Sequence, residues 1–304
     1  MGGLTPSDLS LVGVSQGEIE VWEERYPGLR DVWPLTPLQS GLLFHTVLAD
    51  GESALDAYQM QLVFHLSGET DPRRMRAAGQ ALLDRHANLR TAFVSHAGGG
   101  WVQLVTEGVE LPWRELDLRR LSEAEREAEL ERFLAEDHTV HFDPSAPPLL
   151  RLALVRMSED RSELVLTAHH ILFDGWSGPL LMEDLLRLYG ASGDASGDAS
   201  GDASGLPQVR GYRDFLVWLD GQDQEAASRA WADALDGIDE PTLLAPLTTP
   251  AESDEPGIGH ADVSLDIAET RELARRAGGL GVTVNTLVQG AWALLLGQLT
   301  GRQD

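Results

Sequence analysis

The sequence predicts a mixed α/β fold of the α+β kind, arranged in two lobes. Three observations point there. Alternating apolar residues, as at Met60, Leu62, Phe64 and Leu66, have the period of a half-buried strand. Other segments carry apolar residues at helical spacing behind a start signal, as after Asp71-Pro72. Strands and helices are interleaved without the regularity of a doubly wound sheet, which leaves a mixed sheet with helices packed on it.

Taken in order, residues 1–24 hold turn formers and one short polar-apolar stretch, and read as a linker. Thr36 can cap a helix with Pro37 in its first position, and Gln39 stands where a capping-box partner belongs. Leu38 and Leu42 then share a face of that helix. Tyr58 to Leu66 reads as a strand, and a helix follows Asp71 with Met75, Leu82 and His86 at helical spacing, ending near Asn88. Thr91 to Val94 and Trp101 to Val105 read as two strands joined by a turn at Gly98, Gly99 and Gly100. Ser122 with Glu125 opens a charged helix reaching about Ala135. Strands are expected over Leu149 to Arg156 and Leu164 to Ala168, then a helix from Gly178 to Tyr189. Residues 191–206 repeat Ala-Ser-Gly-Asp, offer nothing to bury, and read as a disordered tether. Beyond it, helices are expected over Tyr212 to Asp220, Glu225 to Leu235, Thr270 to Ala277 and Asn285 to Leu299, with a strand at Ala261 to Leu265.

Composition narrows the function classes. The 304 residues are 42% hydrophobic, enough for a sizeable core. The formal net charge is −26, and every basic residue is Arg. Such acidity argues against nucleic acid or an anionic lipid surface as partner, because phosphate recognition rests on basic patches. No apolar run approaches the roughly 18 residues of a membrane span, and no signal peptide opens the chain. Cysteine is absent, which removes disulfides and thiolate chemistry and fits a cytoplasmic location.

The densest group of reactive side chains lies at His169, His170, Asp174 and Ser177. Adjacent residues on a strand point to opposite faces, so only one of His169 and His170 can face a given pocket. Leu164, Leu166 and Ala168 share parity with His170, whereas Val165 and Thr167 share it with His169. Diverging histidines, without HExxH or a Cys pair, do not make a metal site. Gly175-Trp176-Ser177-Gly178-Pro179 lacks the last glycine of a serine nucleophile elbow. Two readings stay open on the residues alone: packed structural histidines, or a histidine at a strand end acting near neutral pH with Asp174 as an orienting anion.

His169-His170-x-x-x-Asp174-Gly175 resembles the HHxxxDG signature of the condensation-domain superfamily of nonribosomal peptide synthetases, which is related to chloramphenicol acetyltransferase. Four further stretches are similar to that family in order and spacing: Pro34 to His45, Arg85 to Phe93, Phe142-Asp143 with Pro148 to Arg151, and Tyr212 to Trp218. The resemblance runs from about Tyr26 onward.

The resemblance implies a chloramphenicol acetyltransferase-like fold of two lobes, the first complete over 25–190 and the second, 207–304, only its beginning, with 1–24 following an upstream carrier domain. It implies amide formation between a carrier-bound donor thioester and the amine of a carrier-bound acceptor, with no cofactor bound directly and both substrates delivered on phosphopantetheine arms. The implied partners are upstream and downstream peptidyl carrier domains and an adjacent adenylation domain. His170 matches the catalytic histidine, as base or as positioning group, and His169 the less critical first one. Asp174 matches a structural carboxylate, with Arg85 or Arg90 as its expected salt-bridge partner. Gly175 matches a residue lining the acceptor side; Trp176 reads as packing, and Ser177 as a cap for the next helix. The 304-residue piece alone is expected not to catalyse condensation. The alternatives are an epimerisation domain of the same superfamily and a non-catalytic carrier-binding module.

Overall fold

The computed structural model describes residues 3–49, 56–191, 206–238, 242 and 263–302, in two units, Met1–Gln222 and Asp223–Asp304. Of the expected tether over 191–206, only Ala191 and Leu206 are described; the repeats between them lie outside the described residues.

The expected linker at the start is a correction. Ser15 caps a helix, α1 (Gln16–Arg25), in a capping box with Glu18. Ile19 and Trp22 are buried on its inner side and, with Leu9 and Val14, pack against Val32, Ala92, Val102 and Leu104. Those partners belong to an antiparallel sheet ordered β1 (Leu29–Pro34), β4 (Trp101–Thr106), β3 (Thr91–Ser95). The helix buries only two of its own residues, so its stability comes from a distant sheet rather than from local pattern.

The second sheet has the order β2 (Gln59–Ser67), β7 (Arg161–His169), β6 (Leu150–Arg156), β5 (Trp113–Asp117); only β5 and β6 run parallel. Its register places Met60, Leu150 and Ala168 side by side, then Leu62, Leu152 and Leu166, then Phe64, Leu154 and Leu164. That face packs on α3 (Pro72–Arg85) through Met75, Ala78 and Leu83, and on α5 (Ser177–Ala191) through Leu181, Leu185 and Leu188. The opposite face carries Ala153, Val155 and Val165 against Leu130 and Phe133 of α4 (Glu123–His138). The strand period of two thus divides the sheet between helices on both sides.

The start signals act as expected. Asp71 Oδ1 accepts from the backbone N–H of Arg73 and Arg74 at 2.8 and 3.2 Å. Thr36 and Gln39 satisfy each other's backbone N–H, at 3.0 and 3.1 Å, ahead of α2 (Pro37–Ala49).

The lobe boundary expected at 207 is shifted. Helix α6 (Tyr212–Asp220) belongs to the first unit: Leu216 is buried beside Trp33 and Val105, and Arg213 pairs with Asp31 at 3.2 Å. In the second unit, α7 (Gln224–Ala234), α8 (Ile267–Gly279) and α9 (Val284–Thr300) are helical. The strand expected at 261–265 is not formed in its described part: Val263 to Leu265 pair with no strand, and Val263 is 90% exposed. Among the described residues no single helix is long and apolar enough to cross a membrane; α8 and α9 meet that test only together, with a 93° bend between them.

Candidate active site

The two histidines part as strand geometry requires. His169 is the last residue of β7 and is 1% exposed, whereas His170 emerges on the surface. The backbone N–H of His169 donates to Leu149 O at 2.9 Å, and that of His170 donates to Tyr58 O at 2.8 Å. The chain then turns through Ile171, Leu172 and Phe173, whose side chains are buried in the core.

Every carbonyl of this turn has a donor. Gln39 Nε2 donates to Ile171 O at 3.2 Å, and Asn88 Nδ2 donates to Leu172 O at 3.0 Å. Phe173 O lies 2.9 Å from Nδ1 of His170. A carbonyl only accepts, so Nδ1 carries the proton and the neutral ring keeps a lone pair at Nε2. A buried carbonyl without a donor is costly, which is why three side chains converge on three consecutive peptide groups.

His170 stands over a cavity of about 890 Å³. Met60, Leu62 and Phe64 of β2 form one wall, and Met182 and Leu186 of α5 another. Gly175 and Gly178 line the mouth, and a Cβ built on either meets nothing within 4 Å. The volume is that of a small-molecule site, and its walls are mostly apolar.

Asp174 corrects the expected salt bridge. It is exposed, and its Oδ1 accepts from the backbone N–H and the hydroxyl of Ser177 at 2.8 and 2.7 Å. Those two bonds hold its carboxyl below the usual carboxylate range. Arg85 pairs instead with Asp184 of α5 at 3.0 Å and donates to Pro207 O. Arg90 is buried, and its guanidinium donates to the carbonyls of Leu83, Asp84 and Thr106. Both arginines are committed elsewhere by α3 and the short helical turn after it, so Asp174 serves the turn into α5. Ser177 is also corrected: it donates to Asp174 and is the first residue of α5, so the carboxylate, not the hydroxyl, closes this helix start. Trp176 does not pack; it is 88% exposed.

Several side chains that surround His169 escape a reading of the sequence. Thr46 Oγ1 lies 3.0 Å from His169 Nε2, and Asp56 Oδ2 lies 3.2 Å from the same nitrogen, too poorly aligned for a hydrogen bond. Burial raises the Asp56 carboxyl, but the His169 imidazole, the backbone N–H of Tyr58 and the nearby His141 bring it below its ordinary value. These residues lie far from His169 in sequence and no spacing links them; Gln39 alone stands inside a recognisable motif. Among the described residues no three His, Asp or Glu side chains come together in a way that could hold a metal ion.

The site thus sets an imidazole of fixed tautomer just past the end of an inner strand and over an apolar cavity, on a mixed α/β scaffold. The family described as "Condensation domain" matches residues 29–304, and the chain belongs to it. A protein of the linear gramicidin synthase of Brevibacillus parabrevis is 35% identical over 281 residues, which are 91% of this chain and 4% of that protein. Bacitracin synthase 1 of Bacillus licheniformis is 29% identical over 297 residues, covering 96% of this chain and 5% of that protein. The chain therefore spans a small fraction of the length of the curated synthetases it matches. Among solved structures, the first condensation domain of the calcium-dependent antibiotic synthetase, in complex with a substrate analogue, has a TM-score of 0.70 at 20% identity, over 89% of this chain and 62% of that one. SgcC5 of Streptomyces globisporus has a TM-score of 0.67 at 22% identity, over 88% and 61%. The chloramphenicol acetyltransferase-like fold implied by the motifs is the fold these structures share.

Proposed function

We propose that this chain is part of the condensation domain of a nonribosomal peptide synthetase, which as a whole forms an amide bond between two carrier-bound substrates. The nitrogen of the acceptor amine attacks the donor thioester carbonyl, the tetrahedral carbon collapses, the C–S bond breaks, and the donor carrier's pantetheine leaves as a thiol. One proton leaves the amine nitrogen and one is gained by the sulfur. The observation that carries this reading is the His170 ring: Nδ1–H is held by Phe173 O, which leaves Nε2 with a lone pair beside an apolar cavity. That nitrogen can take the amine proton as it becomes acidic and pass one to the leaving sulfur. Met60, Phe64 and Met182 give the cavity beside this nitrogen an apolar wall.

In this reading the carrier domains on either side and a neighbouring adenylation domain are the partners, and the pantetheine arms bring both substrates to the cavity. The test measures amide formation between two loaded carrier domains by a protein containing this chain. His170→Ala is expected to slow it by about 10²- to 10⁴-fold while carrier binding persists; an unchanged rate overturns the reading.

A further inference from the structure

The His170 ring is set from behind by groups that do not touch the cavity. The backbone N–H of Ile171 donates to Nδ1 of His169 at 3.0 Å. A ring nitrogen that accepts carries no proton, so neutral His169 is protonated at Nε2. The surroundings of Nε2 demand the same. Thr46 spends its hydroxyl proton on Leu42 O at 3.1 Å, so its oxygen faces Nε2 as an acceptor. Asp56, buried and ionised, offers only acceptors, with Oδ2 at 3.2 Å.

Asp56 has a second hold on the same turn. Its Oδ1 accepts the N–H of Tyr58 at 2.9 Å, and Tyr58 O accepts the N–H of His170 at 2.8 Å. One carboxylate thus reaches His170 by two routes, by a hydrogen bond through the Tyr58 peptide and by its charge beside the His169 ring. Neither route passes through the cavity walls.

We propose that Asp56 and Thr46 are positioning residues, which lock His169 as the Nε2–H tautomer so that its bare Nδ1 fixes the Ile171 peptide and, with it, the orientation of His170. The effect on rate rests on the amide-forming reading above; the effect on the rings does not. The lock matters because a displacement of about 1 Å at a reacting group can cost about a hundredfold in rate.

The test is nitrogen-15 NMR of the histidine rings in the 304-residue chain, alongside the amide-forming assay in a protein containing it. Wild type is expected to show His169 protonated at Nε2 alone and His170 at Nδ1 alone. Thr46→Val and Asp56→Leu are expected to mix the His169 tautomers, weaken the His170 Nδ1–H signal, and lower kcat by about tenfold to a hundredfold with KM little changed. Thr46→Ser keeps the acceptor hydroxyl and is expected to restore the ring pattern and most of the rate, whereas Asp56→Asn sets an NH2 donor against Tyr58 N–H or His169 Nε2–H and is expected to behave like Asp56→Leu. If Asp56→Leu does not fold, the comparison of Thr46→Val with Thr46→Ser decides. Unaltered ring spectra in Thr46→Val, or a wild-type His169 protonated at Nδ1, overturn the proposal whatever the assay gives. A wild type with the expected rings but no amide product overturns the function and leaves the lock in place.

Discussion

The side-chain amide of Gln39 donates to the carbonyl of Ile171 at 3.2 Å, across 132 positions of sequence. The same Gln39 exchanges amide hydrogen bonds with buried Gln103 at 3.1 and 3.2 Å. Gln39→Leu would leave the Ile171 carbonyl and part of Gln103 buried without partners. A loss of roughly 2–4 kcal/mol is expected, since each orphaned group costs about 1–3 kcal/mol. Urea unfolding with an unchanged m value checks it, and a loss below that of the exposed His170→Ala contradicts it.

The pairing of Arg85 separates two arrangements of the motif. A double-mutant cycle between Arg85 and Asp184 is expected to show a coupling of about 0.5–1 kcal/mol, because both are largely buried and 3.0 Å apart. The cycle between Arg85 and Asp174 is expected to show none beyond about 0.3 kcal/mol. Coupling of Asp174 to either Arg85 or Arg90 would restore the salt bridge that the sequence pattern implies.

Arg90→Met should be among the costlier single changes in the first unit. It strands the carbonyls of Leu83, Asp84 and Thr106, and about 3 kcal/mol or more is expected to be lost. Thermal unfolding is the measurement.

His86 gives stability a pH dependence. Burial pushes its imidazole below the ordinary 6.5, against the pull of Asp184 at 3.0 Å. Below pH 6.5 the unfolded chain takes up a proton that the native chain refuses. Stability from this residue is therefore complete above 6.5 and declines as pH falls toward the lowered native value. His86→Gln should flatten that part of the profile, as urea unfolding across this pH range would show.

Two glycines should respond oppositely to Ala. At Gly175 a Cβ meets open space, so Gly175→Ala should leave the melting temperature unchanged, whereas Gly175→Leu should slow the reaction by filling the cavity mouth. At Gly79 a Cβ would stand 2.6 Å from Leu111 Cδ2 and 2.9 Å from Leu152 Cδ1, and a loss of about 1–3 kcal/mol is expected.

Legibility in the sequence follows the range of the interaction. The caps at Asp71 and Ser122, the box of Thr36 with Gln39, and the opposite aim of His169 and His170 are local, and the structure has them all. Helix α1 does carry a local signal, the Ser15–Glu18 capping box, but its apolar residues Ile19, Val21 and Trp22 are few in an acidic stretch, and what buries Ile19 and Trp22 is the sheet of β1, β4 and β3. Strand β5 escapes because it pairs only at the edge, along β6, and Arg114, Glu115 and Asp117 are exposed. The partner of Asp174 and the roles of Thr46 and Asp56 depend on tertiary placement, which no spacing encodes.

The turn after His170 is gripped by its peptide groups. Gln39, Asn88 and His170 bind carbonyls, and His169 binds an N–H, while the side chains of Ile171 and Leu172 serve the core and that of Phe173 also lines the cavity. Apolar residues of matching volume at positions 171 and 172 are therefore expected to leave the placement of His170 unchanged. The three unspecified letters of the HHxxxDG pattern are thus a physical statement: the address of His170 is written in the main chain there, and its readers stand elsewhere in the sequence.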